Sequence, residues 1–163
     1  MPEVTFRPIT PADMPFLREL YGSTRAVELA QVPWTDEQKR AFIEHQFEAQ
    51  HNHYQRVYPT GSFEVILCDG APAGRLYMNR GSDEIRIIDI TLSPEQRSKG
   101  IGSRLLQDVL AEATRANKPV RIHVENFNPA MNLYLRLGFR KISETGVYHF
   151  MEWVPDASKG GAQ

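Results

Sequence analysis

Residues 85–102, Ile-Arg-Ile-Ile-Asp-Ile-Thr-Leu-Ser-Pro-Glu-Gln-Arg-Ser-Lys-Gly-Ile-Gly, constrain the fold more than any other stretch. The isoleucine-rich half predicts a strand with at least one buried face. Pro94 ends that strand, since it lacks a backbone donor and fixes φ. A basic, glycine-containing turn follows, and an apolar helical pattern opens after Gly102. Strand, glycine turn and helix N-terminus together form an anion site. Free N–H groups and the positive end of the helix dipole converge there, and the glycines permit close approach. Arg97 and Lys99 add side-chain charge, so the stretch predicts a phosphate-bearing ligand. A Walker A string is absent. The dinucleotide fingerprint needs three spaced glycines, and only Gly100 and Gly102 are present. An ordinary turn with solvated charges is the competing reading.

The chain has 163 residues, enough for one domain with a real core. A net charge of −1 gives no support to a nucleic-acid partner held by counterion release. No apolar run approaches a membrane span and no signal-peptide pattern opens the sequence. Cys68 is the only cysteine, which excludes an internal disulfide and makes a reducing cytoplasm the expected location. Its apolar surroundings predict a buried thiol and not a nucleophile.

In chain order, residues 4–9 predict a first strand. Thr10, Pro11 and Asp13 predict a helix start, with Phe16, Leu17, Leu20 and Tyr21 as its apolar stripe and Gly22 as its stop. Residues 23–34 read as an irregular connection broken near Pro33. Thr35 and Gln38 form a capping box for a helix to about Tyr54, with Phe42, Ile43, Phe47 and Tyr54 towards the core. His45, His51 and His53 lack metal-ligand spacing and read as solvated. Residues 63–68, 73–79 and 85–92 predict three strands in an antiparallel meander. A helix then runs to about Asn117, followed by a strand over 120–125, which alternates cleanly. A helix from Asn128 carries Ala130, Leu133, Tyr134 and Leu137 and stops at Gly138. Strands over 139–142 and 147–154 flank a turn at 144–146. Residues 156–163 read as a disordered tail, leaving 1–155 as one domain.

Two motifs point to a family. Gln96-Arg97-Ser98-Lys99-Gly100-Ile101-Gly102 resembles the Arg/Gln-x-x-Gly-x-Gly/Ala signature of the GNAT superfamily of acyl-CoA-dependent N-acetyltransferases. Asn128-Pro-Ala-Met-Asn-Leu-Tyr134-Leu-Arg-Leu-Gly138-Phe139 resembles that family's C-terminal signature, with the asparagine one residue nearer the tyrosine than in the commoner form. Residues 21–58 also resemble a bacterial subgroup with a Ser-Thr-Arg-Ala…Pro-Trp pattern. The resemblance covers nearly the whole chain and implies a single α/β (α+β) domain. Its sheet would be mixed and mostly antiparallel, with about seven strands and about four flanking helices.

By this resemblance, the backbone from Arg97 through Ser98, Lys99, Gly100, Ile101 and Gly102 to Ser103 would bind the pyrophosphate of acetyl-CoA, with Asn128 a further contact. Ile90, Thr91 and Leu92 would pair with the pantetheine arm, near a β-bulge where the Leu92 amide polarises the thioester carbonyl. Tyr134 would be the general acid, its alternative being a core aromatic beside Leu133. Asp89 interrupts a buried strand and is the candidate base. Glu28, Glu125 and a water chain are alternatives, and so is a structural role for Asp89 bonded to Arg86, Arg121 or a backbone amide. Glu28, Trp34 and Tyr54, with Tyr58, are candidate contacts of the acceptor, a small-molecule or peptide amine. No metal, nucleic acid or membrane enters this reading, and the resemblance allows a homodimer. A non-catalytic acyl-CoA sensor and a nucleotide-binding domain are the competing functions. The intact Tyr134 favours catalysis over the first, and the missing fingerprints disfavour the second.

Overall fold

The structure is a computed structural model and describes residues 2–156. Its strands are β1 (Val4–Pro8), β2 (Ser62–Cys68), β3 (Ala71–Arg80), β4 (Ile85–Leu92), β5 (Val120–Glu125), β6 (Arg140–Thr145) and β7 (Tyr148–Trp153). Its helices are α1 (Met14–Ala30), α2 (Asp36–Val57), α3 (Ile101–Ala116) and α4 (Met131–Arg136). Among the described residues the strands form one mixed sheet in the order β1-β2-β3-β4-β5-β7-β6. This is the single α/β domain predicted, in the predicted element order. The expected disordered tail lies outside the described residues, Asp156 apart. The described residues divide into two compact units: residues 2–77 with Ile90–Arg97, and Met78–Asp89 with residues 98–156.

In the first unit, β1 pairs antiparallel with β2 from Val4↔Cys68 to Pro8↔Glu64, and Cys68 is buried as expected. Leu17, Tyr21 and Phe47 form the core of the α1–α2 pair, with Ile9, Met14, Phe16 and Ile43 packed around them. Helix α1 departs from the sequence expectation, since Gly22 does not stop it and the irregular connection is helical as far as Ala30. Residues 25–30 contain good helix formers, and the Ser23 and Thr24 hydroxyls fold back onto the Leu20 and Tyr21 carbonyls inside the helix. The Thr35–Gln38 capping box starts α2 as predicted. Of the four residues expected in its core face, only Phe47 is fully buried. His45 and His53 are exposed, whereas His51 stacks on Phe47 with ring centroids 5.8 Å apart.

In the second unit, Ile85 and Ile87 of β4 and Val120, Ile122 and Val124 of β5 are buried, as are Leu105, Leu106, Val109 and Ala113 of α3. Here β4 runs parallel to β5, but only over Ile85–Ile87 against Val120–Ile122. Beyond that β5 continues to Glu125 in register with β7. Strand register also builds a polar ladder. Glu84 accepts hydrogen bonds from Arg86 (2.8 Å) and Arg121 (2.9 Å), and Arg121 also donates to Glu152 (2.9 Å). The final hairpin is shifted from the prediction. Strand β6 extends through Thr145, because the turn is made at Gly146, whose φ of 60° suits a glycine.

Candidate functional site

The residues singled out by the sequence fall in both units, and each set has its own local logic. In the second unit the turn before α3 holds two left-handed residues, Ser98 at φ 61° and Gly100 at φ 82°. Gly100 is the N-cap, so α3 begins at Ile101, two residues earlier than predicted. A left-handed residue between right-handed ones curves successive N–H groups into a concave nest for an anion. Ser98, which carries a Cβ in a region that glycine favours, is a strained position of the kind that gathers at ligand sites. The first intrahelical bond runs from the Arg104 N–H to the Gly100 carbonyl at 3.1 Å. The N–H groups of Ile101, Gly102 and Ser103 therefore head the helix without an intrahelical acceptor. Lys99 is exposed beside them. This backbone fits a pyrophosphate, which needs many donors and little side-chain bulk.

The second motif works through chain reversal. Asn128 does not start the helix. Its Oδ1 accepts from the Ala130 N–H at 2.8 Å, an Asx-type turn that leads into a shorter α4 starting at Met131. This leaves the Asn128 side-chain NH2 as its donor. After α4, Gly138 adopts φ 102° and turns the chain so that Phe139 returns onto the Tyr134 ring, edge-on at 5.5 Å. Tyr134 is 3% exposed. Burial raises the pKa of its phenol well above the ordinary tyrosine value, and the charge of Asp89 raises it further. The structure thus brings Asp89 within electrostatic reach of Tyr134. Arg86 and Arg121 both bind Glu84, and Arg121 also holds Glu152. Glu125 ends β5 opposite Tyr148.

In the first unit, Ile90, Thr91 and Leu92 end β4, all half-buried. Pairing does not cease at Leu92, because the Ser93 N–H donates to the Ala73 carbonyl at 2.8 Å. The Arg97 side chain turns back along the chain and does not extend over the turn. Its Nε donates to the Leu92 carbonyl (3.0 Å) and its Nη2 to the Ser23 hydroxyl of α1 (3.1 Å). The proposed acceptor contacts each have a local neighbour. Glu28 pairs with Arg25 (3.1 Å), Trp34 packs edge-on to Phe42 (5.4 Å), and Tyr54 edge-on to Tyr77 (6.2 Å). Three residues that sequence reasoning missed belong to this region. Gly74 approaches Thr91 closely, Ser23 anchors Arg97, and buried Arg75 donates to Gln50 at 2.6 Å. Only Gly74 left a trace in the sequence, as a glycine inside a strand pattern. A groove of about 610 Å³ in this unit, lined by Ile9, Thr10, Met14, His51 and Phe63 among others, contains none of the predicted site residues.

The family description "Acetyltransferase (GNAT) domain" matches residues 31–157. No curated protein sequence matches the chain. Solved structures share its fold. The PaiA N-acetyltransferase of Thermoplasma acidophilum, in complex with coenzyme A, is 18% identical with a TM-score of 0.69, covering 93% of this chain and 99% of that one. An acetyltransferase of Thermus thermophilus is 18% identical with a TM-score of 0.66, covering 94% and 99%. YncA of Salmonella typhimurium, with acetyl-CoA, is 21% identical with a TM-score of 0.56, covering 94% and 95%.

Proposed function

The chain belongs to the GNAT acetyltransferase family, and from that premise we propose that it transfers an acetyl group from acetyl-CoA to a primary amine by direct attack. The observation that carries the proposal is the turn from Ser98 to Gly100 leading into α3, a preformed cradle of backbone donors at a helix N-terminus. Coenzyme A in the PaiA structure and acetyl-CoA in that of YncA support the choice of donor.

Each residue then has a role in the proposed reaction. Backbone N–H groups from Arg97 to Ser103 hold the pyrophosphate, helped by the α3 dipole, worth about 0.3–1 kcal/mol per well-placed charge. The Asn128 amide adds a donor. The backbone of Ile90 and Thr91 pairs with the pantetheine arm, and the Leu92 N–H receives the carbonyl oxygen as it gains charge. Tyr134 holds the proton required by the departing sulfur. Asp89 is the candidate to accept the amine's proton, with Glu28 and Glu125 as alternatives. The acceptor is a small molecule or peptide bearing a primary amine, met by Glu28, Trp34 and Tyr54.

Thermal shifts with CoA, acetyl-CoA, ATP and NAD at one concentration test this reading. A ligand at a hundredfold its Kd stabilises the fold by about 2.7 kcal/mol. For a domain of this size that is roughly 5–10 °C in Tm. Stabilisation by both CoA forms alone is expected. A shift with ATP or NAD and none with CoA would overturn the assignment of the turn.

A further inference from the structure

We propose that the Arg97 side chain is a positioning group and not a phosphate ligand: its guanidinium braces α1 at Ser23, so that coenzyme bound at the turn Arg97 opens steadies the exposed half of α1, which carries Glu28. The inference rests on the acetyl-CoA reading above and deepens it, because it gives the donor a hold on one of the proposed acceptor contacts.

Helix α1 has an anchored half and an exposed half. Its buried residues, Leu17, Leu20 and Tyr21, all precede Gly22. From Thr24 to Ala30 every residue is exposed or half-buried, and Val27 is 76% exposed. A helical segment without a buried face is marginal in water, because most helix stability in a protein comes from packing. Such a segment opens locally with little resistance, so a tie at its root weighs heavily. Ser23 stands at that root. Its hydroxyl donates to the Leu20 carbonyl at 2.6 Å and accepts from Arg97 Nη2 at 3.1 Å.

The other edge of the guanidinium holds the end of β4, where Nε donates to the Leu92 carbonyl at 3.0 Å. A planar fork can serve two acceptors at once, whereas an ammonium is a single point of charge. The backbone of Arg97 then leads directly into Ser98, at its left-handed φ of 61°. A phosphate held by the N–H groups of this turn fixes the backbone at the root of the Arg97 side chain. An exposed arginine gives up rotamer freedom to keep both of its bonds. With its root fixed there is less freedom to lose, so the brace is made for a larger share of the time. Coupling of this kind changes persistence and not shape. The helix is already formed without ligand, so loss of the brace scarcely alters the affinity for coenzyme itself.

Amide hydrogen exchange tests this without an acceptor. The full-length chain is exchanged free and saturated with CoA, and residues 24–31 are followed beside residues 101–104 of the turn and α3. Exchange at 24–31 should slow about fivefold or more with CoA. In Ser23→Ala the Kd for CoA should stay within twofold, while the slowing at 24–31 should fall below twofold. Alanine is the better helix former, so a lost response cannot come from a weaker helix. A merely structural bond at Ser23 would change exchange by one factor with and without CoA and leave the slowing intact, which overturns the proposal. Faster exchange at 24–31 with CoA also overturns it, since the guanidinium would then have left Ser23 for the phosphate. A Kd raised more than twofold in Ser23→Ala overturns it as well, by placing Ser23 in the donor site itself. Arg97→Lys keeps the charge and loses the fork, so at CoA saturation it too should lose the slowing. Slowing retained in Arg97→Lys overturns the proposal, and this variant decides if Ser23→Ala fails to fold. Wild-type protection of 101–104 with no slowing at 24–31 overturns this proposal only. A wild-type chain that does not bind CoA overturns the acetyl-CoA reading and this proposal with it.

Discussion

Burial and the charge of Asp89 act on the Tyr134 phenol in the same direction, and both keep it protonated. That suits a group whose task is to hold a proton, but it makes giving the proton up harder. An ordinary phenol is already a weaker acid than a thiol by about 1.5 pKa units, roughly 2 kcal/mol. The same burial opposes formation of a free thiolate, however, because any anion there loses its hydration. Tyr134 is therefore best matched to a transfer that takes place as the carbon–sulfur bond breaks. Tyr134→Phe keeps the edge-on packing against Phe139 and removes only the hydroxyl. Turnover should fall on the order of 10²-fold or more, as for loss of a general acid, while the Kd for CoA stays within twofold. Since the folded pKa is raised, no alkaline loss of activity below about pH 10 should trace to Tyr134. Steady-state kinetics on the two proteins, with calorimetry for CoA, would check this. Unchanged turnover removes Tyr134 from the mechanism.

Helix α1 shows how an element can override a local signal. Gly22 lies within Met14–Ala30, where a Cβ would sit 3.5 Å from the Ile43 side chain, an ordinary contact. Alanine fits there and costs the unfolded chain conformational freedom, so Gly22→Ala should raise stability by about 1 kcal/mol. This corresponds to roughly 2–4 °C in Tm. Differential scanning calorimetry would show it, and a fall in Tm would mean that the α1–α2 contact has no room. At Gly74, by contrast, the nearest atom is backbone at 2.3 Å. The sequence contains both glycines but not their neighbours, and for that reason it misplaced the end of α1 and did not single out Gly74. Strands β4 and β5 were legible to their ends because apolar periodicity and bounding prolines are local features. The turn before α3 and the Gly138-Phe139 reversal were legible as motifs, since Gly100 and Gly138 fall where the backbone takes a positive φ. The Arg97–Ser23 bond and the Glu84 ladder depend on residues far apart in sequence, and no spacing rule announces them.

Across the whole molecule, a formal charge of −1 leaves little self-repulsion near neutrality. The dependence of stability on pH is then set by a few local groups. Hydrogen bonds from Arg7 hold the Asp13 carboxyl far below its ordinary range against the effect of burial, and its Thr10 contacts add to this. Glu84 is pushed up by burial but brought lower overall by hydrogen bonds from Arg86 and Arg121, and Arg80 lowers Glu112. Two histidines are also lowered from their ordinary value of 6.5, each by burial first, then by the charge of Arg75 on His51 and of Arg86 on His123. Every one of these groups binds a proton more readily in the unfolded chain, so each makes stability rise with pH. The histidine contribution is complete above about pH 7 and is lost as pH falls below 6.5, while the carboxylates begin to lose theirs below about 4.5. The expected curve of Tm against pH is level near pH 7–8, gently falling to about 5, then steep. Replacing both His51 and His123 by Gln should flatten the middle segment and leave the acid arm in place. A middle slope that survives the double replacement would show that groups other than these two rings carry it.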